Sequence, residues 1–469
     1  MLKILFRYLP SQIIPALVTL ILIGINSQYL GAEKYGVLII AIVMVELICL
    51  LSHQWLKVSY IRYFAEFTGE KHEVFKSTAD IMFCIFLTLF VTIFNALNYC
   101  IDSKYSEIIY FAIGLYFSKT AYQYFLDKIR MEELYFLYNL STVAFSLLSV
   151  VFTLGLYFFF EATVEYSLVA LGFSYLIATS LMFRKSHFRC DSFSKELAKT
   201  YFLYGFPLTI SAVLMQLLSK IDRYFIAHFL GAAAVGYYSA IIGLVYGLLS
   251  LVFTIVAAPL YPEIIKKSKL GMEELNHSLK SYINLLSLIV IPATVGFYAV
   301  SSEISLLVLG DEYEAVAMTL VPFMILASLL HNLNSHLFVY GIIISKKTYR
   351  STICSLASLA CLITLSCILI PIFGLLGASL SSIFSLFLSS ILMIIYSKKY
   401  LKFYLSGNIF IILSCSILMY VCILLFRDVF EVDSLIWTVV SEVLFGIGVF
   451  VPLVLLIGGG FNNFKKEYF

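Results

Sequence analysis

Residues 201–236 read YFLYGFPLTISAVLMQLLSKIDRYFIAHFLGAAAVG. This apolar span is broken by Lys220, Asp222 and Arg223, and it closes on Leu230-Gly231-Ala232-Ala233-Ala234-Val235-Gly236. Near the start of the chain the same phrase stands as Leu30-Gly31-Ala32-Glu33-Lys34-Tyr35-Gly36, offset by 200 residues and identical at four of seven positions. The chain reads as one unit written twice, with charges inside the first helix of the second copy. Glycine at 31 and 231, where a span leaves the membrane, lets the chain turn tightly into the next helix.

The 469 residues are 61% hydrophobic and 13% charged, whereas soluble domains carry about 25% charged residues. Apolar runs of about 20 residues recur throughout, each long enough to cross a hydrocarbon core of about 30 Å. They do not alternate as barrel strands do. The fold class is therefore an all-α polytopic membrane protein. Fourteen spans are expected, at 4–30, 35–58, 77–100, 107–128, 136–160, 166–184, 203–229, 236–260, 279–300, 315–344, 350–371, 374–396, 407–427 and 434–458. The first is a membrane span rather than a cleavable signal, because its apolar run is long and lacks a small-residue cleavage site.

Lys and Arg in short loops set the orientation. With a cytoplasmic N-terminus, 25 of the 31 fall inside, and only Lys34, Lys104 and Arg427 fall outside. The other three, Lys119, Lys220 and Arg223, lie within spans. Both termini are then cytoplasmic. The longest basic inside loop, 184–199, is the natural linker between two lobes of six spans. The expected organisation is an N-terminal lobe at 1–195, a C-terminal lobe at 196–400, and two additional helices with a cytoplasmic tail at 401–469. Six is even, so the copies face the same way, as a parallel pseudo-two-fold about the membrane normal requires.

A charge at a span centre costs about 2.5–3.5 kcal/mol on insertion scales, so it turns toward protein or a watery cavity. Glu46, Lys119, Lys220, Asp222, Arg223 and Glu442 are the candidates, joined by His53, His331, His336, Asn332 and Asn334. Gln216, Lys220 and Arg223 share one helical face, with Asp222 pointing away. Two cations on one stripe make sense facing an anion, and Lys119 lies too deep to snorkel comfortably. The alternatives for span 7 are a snorkelling Arg223 and a static ion pair of Asp222. Glu46, midway along span 2, is either a titrating carboxylate or a hydrogen-bonded structural one. The polar run 331–336 implies a bend or partial unwinding of span 10. Tyrosines at span ends, among them Tyr60, Tyr201, Tyr238, Tyr400 and Tyr404, fit interfacial belts. The cysteines, mostly within spans and without a CxxC pair, read as small packing residues. No phosphate-cradling glycine loop is present, and nothing calls for a metal or other cofactor.

The segment GFPLTISAVLMQLLSKIDRYFIAHFLGAAAVGYYSA resembles the start of the second lobe in bacterial polysaccharide transporters. These are the O-antigen and lipid-linked oligosaccharide flippases of the multidrug/oligosaccharidyl-lipid/polysaccharide exporter superfamily. Gly205 and Pro207, Asp222-Arg223-Tyr224, Leu230-Gly231 and Gly236-Tyr237-Tyr238-Ser239-Ala240 carry the resemblance. Pro259, Tyr261 and Pro262, and the opening from Leu30-Gly31 through Tyr35-Gly36, are also similar. The resemblance implies a MATE-like exporter fold and a central cavity that alternates between inward-open and outward-open states. The implied cargo is an undecaprenyl-pyrophosphate-linked oligosaccharide moving from the cytoplasmic to the periplasmic leaflet of the bacterial inner membrane, with H+ or Na+ coupling. Lys119, Lys220 and Arg223 would meet the cargo's anion; Glu46, Asp222 and Glu442 would serve ion coupling or structural pairing. The implied partners are the lipid-linked substrate, the bilayer, a polysaccharide polymerase and a chain-length regulator, with no nucleic acid.

Two further readings stay open within the superfamily. The two extra spans resemble the plan of the lipid II flippase branch. A cation-coupled multidrug exporter would show an acidic residue in span 1, where residues 9–30 offer only Asn26 as a polar centre. A membrane polymerase or ligase needs a long extracytoplasmic loop that this chain lacks, so no enzyme is expected.

Overall fold

A computed structural model describes residues 10–67, 69–100, 106–183, 188–268, 270–345, 347, 349–398, 401, 407–429 and 434–457. Among them every regular element is helical. The helices are α1 (Pro10–Tyr63), α2 (Glu70–Cys100), α3 (Ser106–Met131), α4 (Tyr135–Phe159), α5 (Val164–Phe183), α6 (Lys195–Leu230) and α7 (Ala232–Lys267). They continue as α8 (Met272–Ala299), α9 (Ser301–Leu309), α10 (Asp311–Leu333), a π-helical segment (Asn334–Phe338), α11 (Val339–Ile344), α12 (Tyr349–Phe373), α13 (Leu375–Ser397), α14 (Gly407–Val429) and α15 (Leu435–Ile457).

Twelve of the described helices are long and apolar enough to cross a membrane. One of them is α1, which is two helices joined at Gly31; α3, at 26 residues, has the length of a crossing but carries more charge. The protein is thus an all-α polytopic membrane protein, with helix at each of the fourteen expected span positions. The basic terminal segments with Lys3, Arg7, Lys465 and Lys466 lie outside the described residues, as do Lys104, Tyr400 and Tyr404.

The repeated phrase folds the same way twice. Gly31 has φ 70° and ψ 171°, and Gly231 has φ 87° and ψ 179°. Both lie in the left-handed region that a Cβ makes costly. A third such turn, not anticipated from sequence, is Gly310 (φ 91°, ψ 171°) in Leu309-Gly310-Asp311-Glu312. The expected outside loop after span 9 is therefore the short helix α9 and a glycine turn into α10.

The chain forms two compact units, residues 1–236 and 237–469. In the first, α6 runs antiparallel to the second half of α1. Ser59 Oγ donates to the Tyr201 carbonyl at 2.7 Å. Gly205 lies against the Trp55 carbonyl so closely that a Cβ would sit 2.0 Å from it. At the other end Gly36 and Gly236 meet Ala232 and Ala32. Small residues at these crossings let the backbones approach, which is how helices gain packing energy where lipid is as apolar as leucine. Part of the expected inter-lobe linker is docked on α2. Arg189 N–H donates to Asp80 at 2.9 Å, Ser192 N–H to Ser77 at 3.0 Å and Ser194 N–H to Thr78 at 3.1 Å.

In the second unit, α14 and α15 pack on α8 through Cys415, Met419, Ile423, Phe450 and Val454. Helices α12 and α13 meet at the tight turn through Gly374 (φ 60°), where a Cβ on Gly377 would lie 2.1 Å from the Leu369 carbonyl. The expected distortion of span 10 is the π-helical segment, a bulge rather than an unwinding. It is secured from outside: Tyr282 OH donates to the His336 carbonyl at 2.7 Å, and Ser390 Oγ donates to Asn334 at 2.8 Å. Such neighbours satisfy the backbone groups that a π-bulge shifts out of register. The belt reading fails for Tyr60, Tyr201 and Tyr238, which are buried. Tyr201 donates to the Phe75 carbonyl at 3.0 Å, and Tyr60 stacks on Phe75. Position along a span does not reveal which way a ring faces.

Candidate functional site

Two in-span cations of the first unit, Lys119 and Lys220, converge on Glu46, which the second half of α1 carries near its middle. Lys119 of α3 donates to Oε1 at 2.9 Å. On the other oxygen, Lys220 and Gln216 of α6 both donate to Oε2, Gln216 at 3.1 Å. Gln216 and Lys220 are one turn apart on α6, so both reach the same point. One turn along α1 from Glu46, Cys49 Sγ lies 3.2 Å from Thr120 Oγ1, which fixes the register of α1 against α3. Two helices, α3 and α6, thus present three donors to the two carboxylate oxygens carried by a third, α1. The cluster holds two cations and one anion.

The cluster is not sealed. Lys119 is nearly buried, but the side chains of Glu46 and Lys220 are 24% and 29% exposed. Charged groups inside a span sit stably only when paired and hydrogen-bonded, and all three are.

Arg223 does not join this cluster, although it shares a helical stripe with Lys220. Its Nη1 turns back to Asp222 Oδ1 at 3.1 Å and to the Ser219 carbonyl at 3.2 Å. The Arg223 N–H also donates to Asp222 at 2.9 Å. The long, flexible arginine reaches a neighbour that ideal helical angles place away from it. Glu442 is buried and bidentate with Arg427 at 2.9 and 3.0 Å. Arg427, expected in an outer loop, also reaches Glu303 at 2.7 Å and the Ala299 carbonyl at 2.9 Å. It therefore ties α8, α9, α14 and α15 together.

The remaining polar candidates have local partners. Asn26 accepts from Tyr157 at 2.6 Å. His53 Nδ1 is 2.6 Å from Ser52, and its ring packs on Phe83. His331 and His336 lie against Tyr246 and Phe253. Sequence reasoning missed the Asp80–Lys128 pair. Both side chains are 0% exposed, and Lys128 Nζ donates to the two oxygens at 2.8 and 3.0 Å. Tyr124 OH adds a bond at 2.5 Å. Lys128 reads from sequence as one more basic residue at a cytoplasmic span end.

With this geometry in view, comparison with known proteins defines the class. The family model described as "Polysaccharide biosynthesis protein" matches residues 2–268, more than half of the chain. The protein belongs to that family. Among solved structures, "Lipid II flippase MurJ, inward closed conformation" superposes with a TM-score of 0.75 at 16% identity, covering 96% of this chain and 98% of that one. A multidrug resistance MATE family transporter of the MOP superfamily, in an inward-facing conformation, gives 0.57 at 15% identity over 83% and 97% of the two chains. The fold is thus that of the MurJ and MATE transporters. No curated protein sequence matches the chain.

Proposed function

We propose that the protein is a flippase rather than an enzyme. It moves an undecaprenyl-pyrophosphate-linked oligosaccharide, such as an O-antigen repeat unit, from the cytoplasmic to the periplasmic leaflet by alternating access. Family membership supports a role in polysaccharide production, and the transporter fold supports translocation. The observation that carries the reading is the meeting of Lys119 and Lys220 on Glu46, a part-exposed site with an excess of cation inside the spans. A pyrophosphate needs such a site, because an anion leaving water must find charge-assisted donors in compensation.

In this reading the lobes are residues 1–195 and 196–400, followed by the helices and tail of 401–469, with both termini in the cytoplasm and the chain in the inner membrane. Lys119 and Lys220 hold the anion directly, and Arg223 contributes from the adjoining Asp222 pair. Glu46 and Asp222 are the groups available for H+ or Na+ coupling. Glu442 is a structural partner of Arg427. A polymerase and a chain-length regulator would take the product onward.

A second reading, lipid II as cargo, draws on the close fold match to MurJ over nearly the whole chain. Complementation separates the two. The chain is expected to restore surface polysaccharide in a host lacking its oligosaccharide flippase, and not growth in a host depleted of its lipid II flippase. Lys119→Ala and Lys220→Ala should each cut restored polysaccharide by about thirtyfold or more, since truncating one member of a hydrogen-bonded charge pair costs about 2 kcal/mol or more. Arg223→Ala should cut it less. Wild-type polysaccharide in both lysine variants would refute the proposed site.

A further inference from the structure

We infer that Glu46 is a built-in competitor for the cargo's anion: its carboxylate occupies the lysine site until a phosphate-bearing headgroup displaces it. This deepens the flippase reading and rests on it. The argument begins with the donors. Lys119 Nζ takes one oxygen of Glu46, while Lys220 Nζ and Gln216 Nε2 take the other. Three donors from two facing helices, two of them ammonium groups, are the arrangement that a phosphate would recruit. Among the described residues no other side chain bonds Glu46: its oxygens are directed at Lys119, Lys220 and Gln216. Arg223, by contrast, is tied to Asp222 and the Ser219 carbonyl on its own helix, so the cations turned directly to Glu46 are the two lysines.

The placement has two consequences. Two lysines facing each other with no anion between them would repel in a low dielectric. Glu46 removes that repulsion, which lets the site exist empty within the spans. An arriving anion must also take both lysines from Glu46, and Glu46 reclaims them when the anion leaves. Binding is weakened and release is promoted by the same group. A transporter needs that trade, because a site that only binds does not turn over.

The test uses purified full-length protein and inorganic pyrophosphate, with affinity read by calorimetry and by the ligand-induced shift in Tm. Glu46→Gln keeps the shape and removes the charge. It should tighten pyrophosphate binding by about tenfold or more, the scale of a removed like-charge contact, while lowering polysaccharide output in the complementation host. Unchanged or weaker binding in the folded variant overturns the inference. If Glu46→Gln does not fold, Gln216→Glu decides: a second carboxylate between the lysines should weaken binding by about tenfold, and unchanged affinity overturns the inference. Failure here is distinguishable from failure of the flippase reading. Tighter binding in Glu46→Gln alongside no complementation by the wild type leaves the competitor role standing and removes the cargo. Complementation alongside unaltered binding does the reverse.

Discussion

Gly36 and Gly236 make the same contact from opposite sides. A Cβ on Gly36 would lie 1.8 Å from the Ala232 carbonyl oxygen, and one on Gly236 would lie 1.9 Å from the Ala32 carbonyl oxygen. Residue 36 meets 232 as 236 meets 32, the reciprocity of a two-fold contact. The two copies of the repeated phrase therefore pack on each other, each beginning at a left-handed glycine and closing on one that admits a neighbouring backbone.

Substituting either closing glycine is expected to damage the protein equally. Gly36→Ala and Gly236→Ala each drive a methyl into backbone, which cannot rotate aside, and overpacking of this kind costs about 1–3 kcal/mol or more. Gly114 lies in α3 with open space around its missing Cβ. Gly114→Ala should be neutral or stabilising, by up to about 1 kcal/mol from helix propensity. Unfolding of the purified variants checks this: lowered Tm for the first two together and none for the third. Unequal losses at 36 and 236 would mean that the two contacts are not equivalent.

Some of this architecture was legible in the chain because single residues dictate it. Gly31 and Gly231 announce turns because few other residues tolerate their φ. The charges in spans announced a site because lipid penalises them wherever they point. Their partners were not legible. Whether Arg223 joins Lys220 or folds onto Asp222 depends on rotamer and on helix rotation. Tyr60 and Tyr201 looked interfacial by position, yet they face inward to Phe75. The Asp80–Lys128 pair was hidden because loop arithmetic treats a lysine at a span end as solvated. Arg427 was hidden likewise, since its partners Glu303 and Glu442 are remote from one another in sequence.

The Asp80–Lys128 pair should behave as a thermodynamic unit. Removing one member leaves a fully buried charge with no opposite, which costs about 3–5 kcal/mol. Asp80→Asn and Lys128→Met are each expected to lose most folded protein. Asp80→Asn combined with Lys128→Met should recover a substantial share, because no lone charge remains. A double-mutant cycle on Tm measures the coupling. Strictly additive losses would show that the two groups do not depend on each other.

Glu303 gives a pH dependence whose sign is fixed by its surroundings. Burial pushes its carboxyl above the ordinary 4.5; Arg427 opposes this and Glu442 adds to it. One guanidinium serves two carboxylates, and Glu303 Oε2 finds no partner among the described residues. A raised carboxyl holds its proton in the folded protein at pH values where the unfolded chain has released it. The stabilisation is complete below the unfolded value and is lost as pH rises through the folded one. Tm should therefore decline as pH climbs from about 4.5 until the folded group has titrated. Glu303→Gln, which cannot ionise, should show less of that decline. Tm scans of both proteins between acid and neutral pH are the measurement. Parallel curves would assign the acid-side behaviour to other groups, and a steeper fall in Glu303→Gln would reverse the sign argued here.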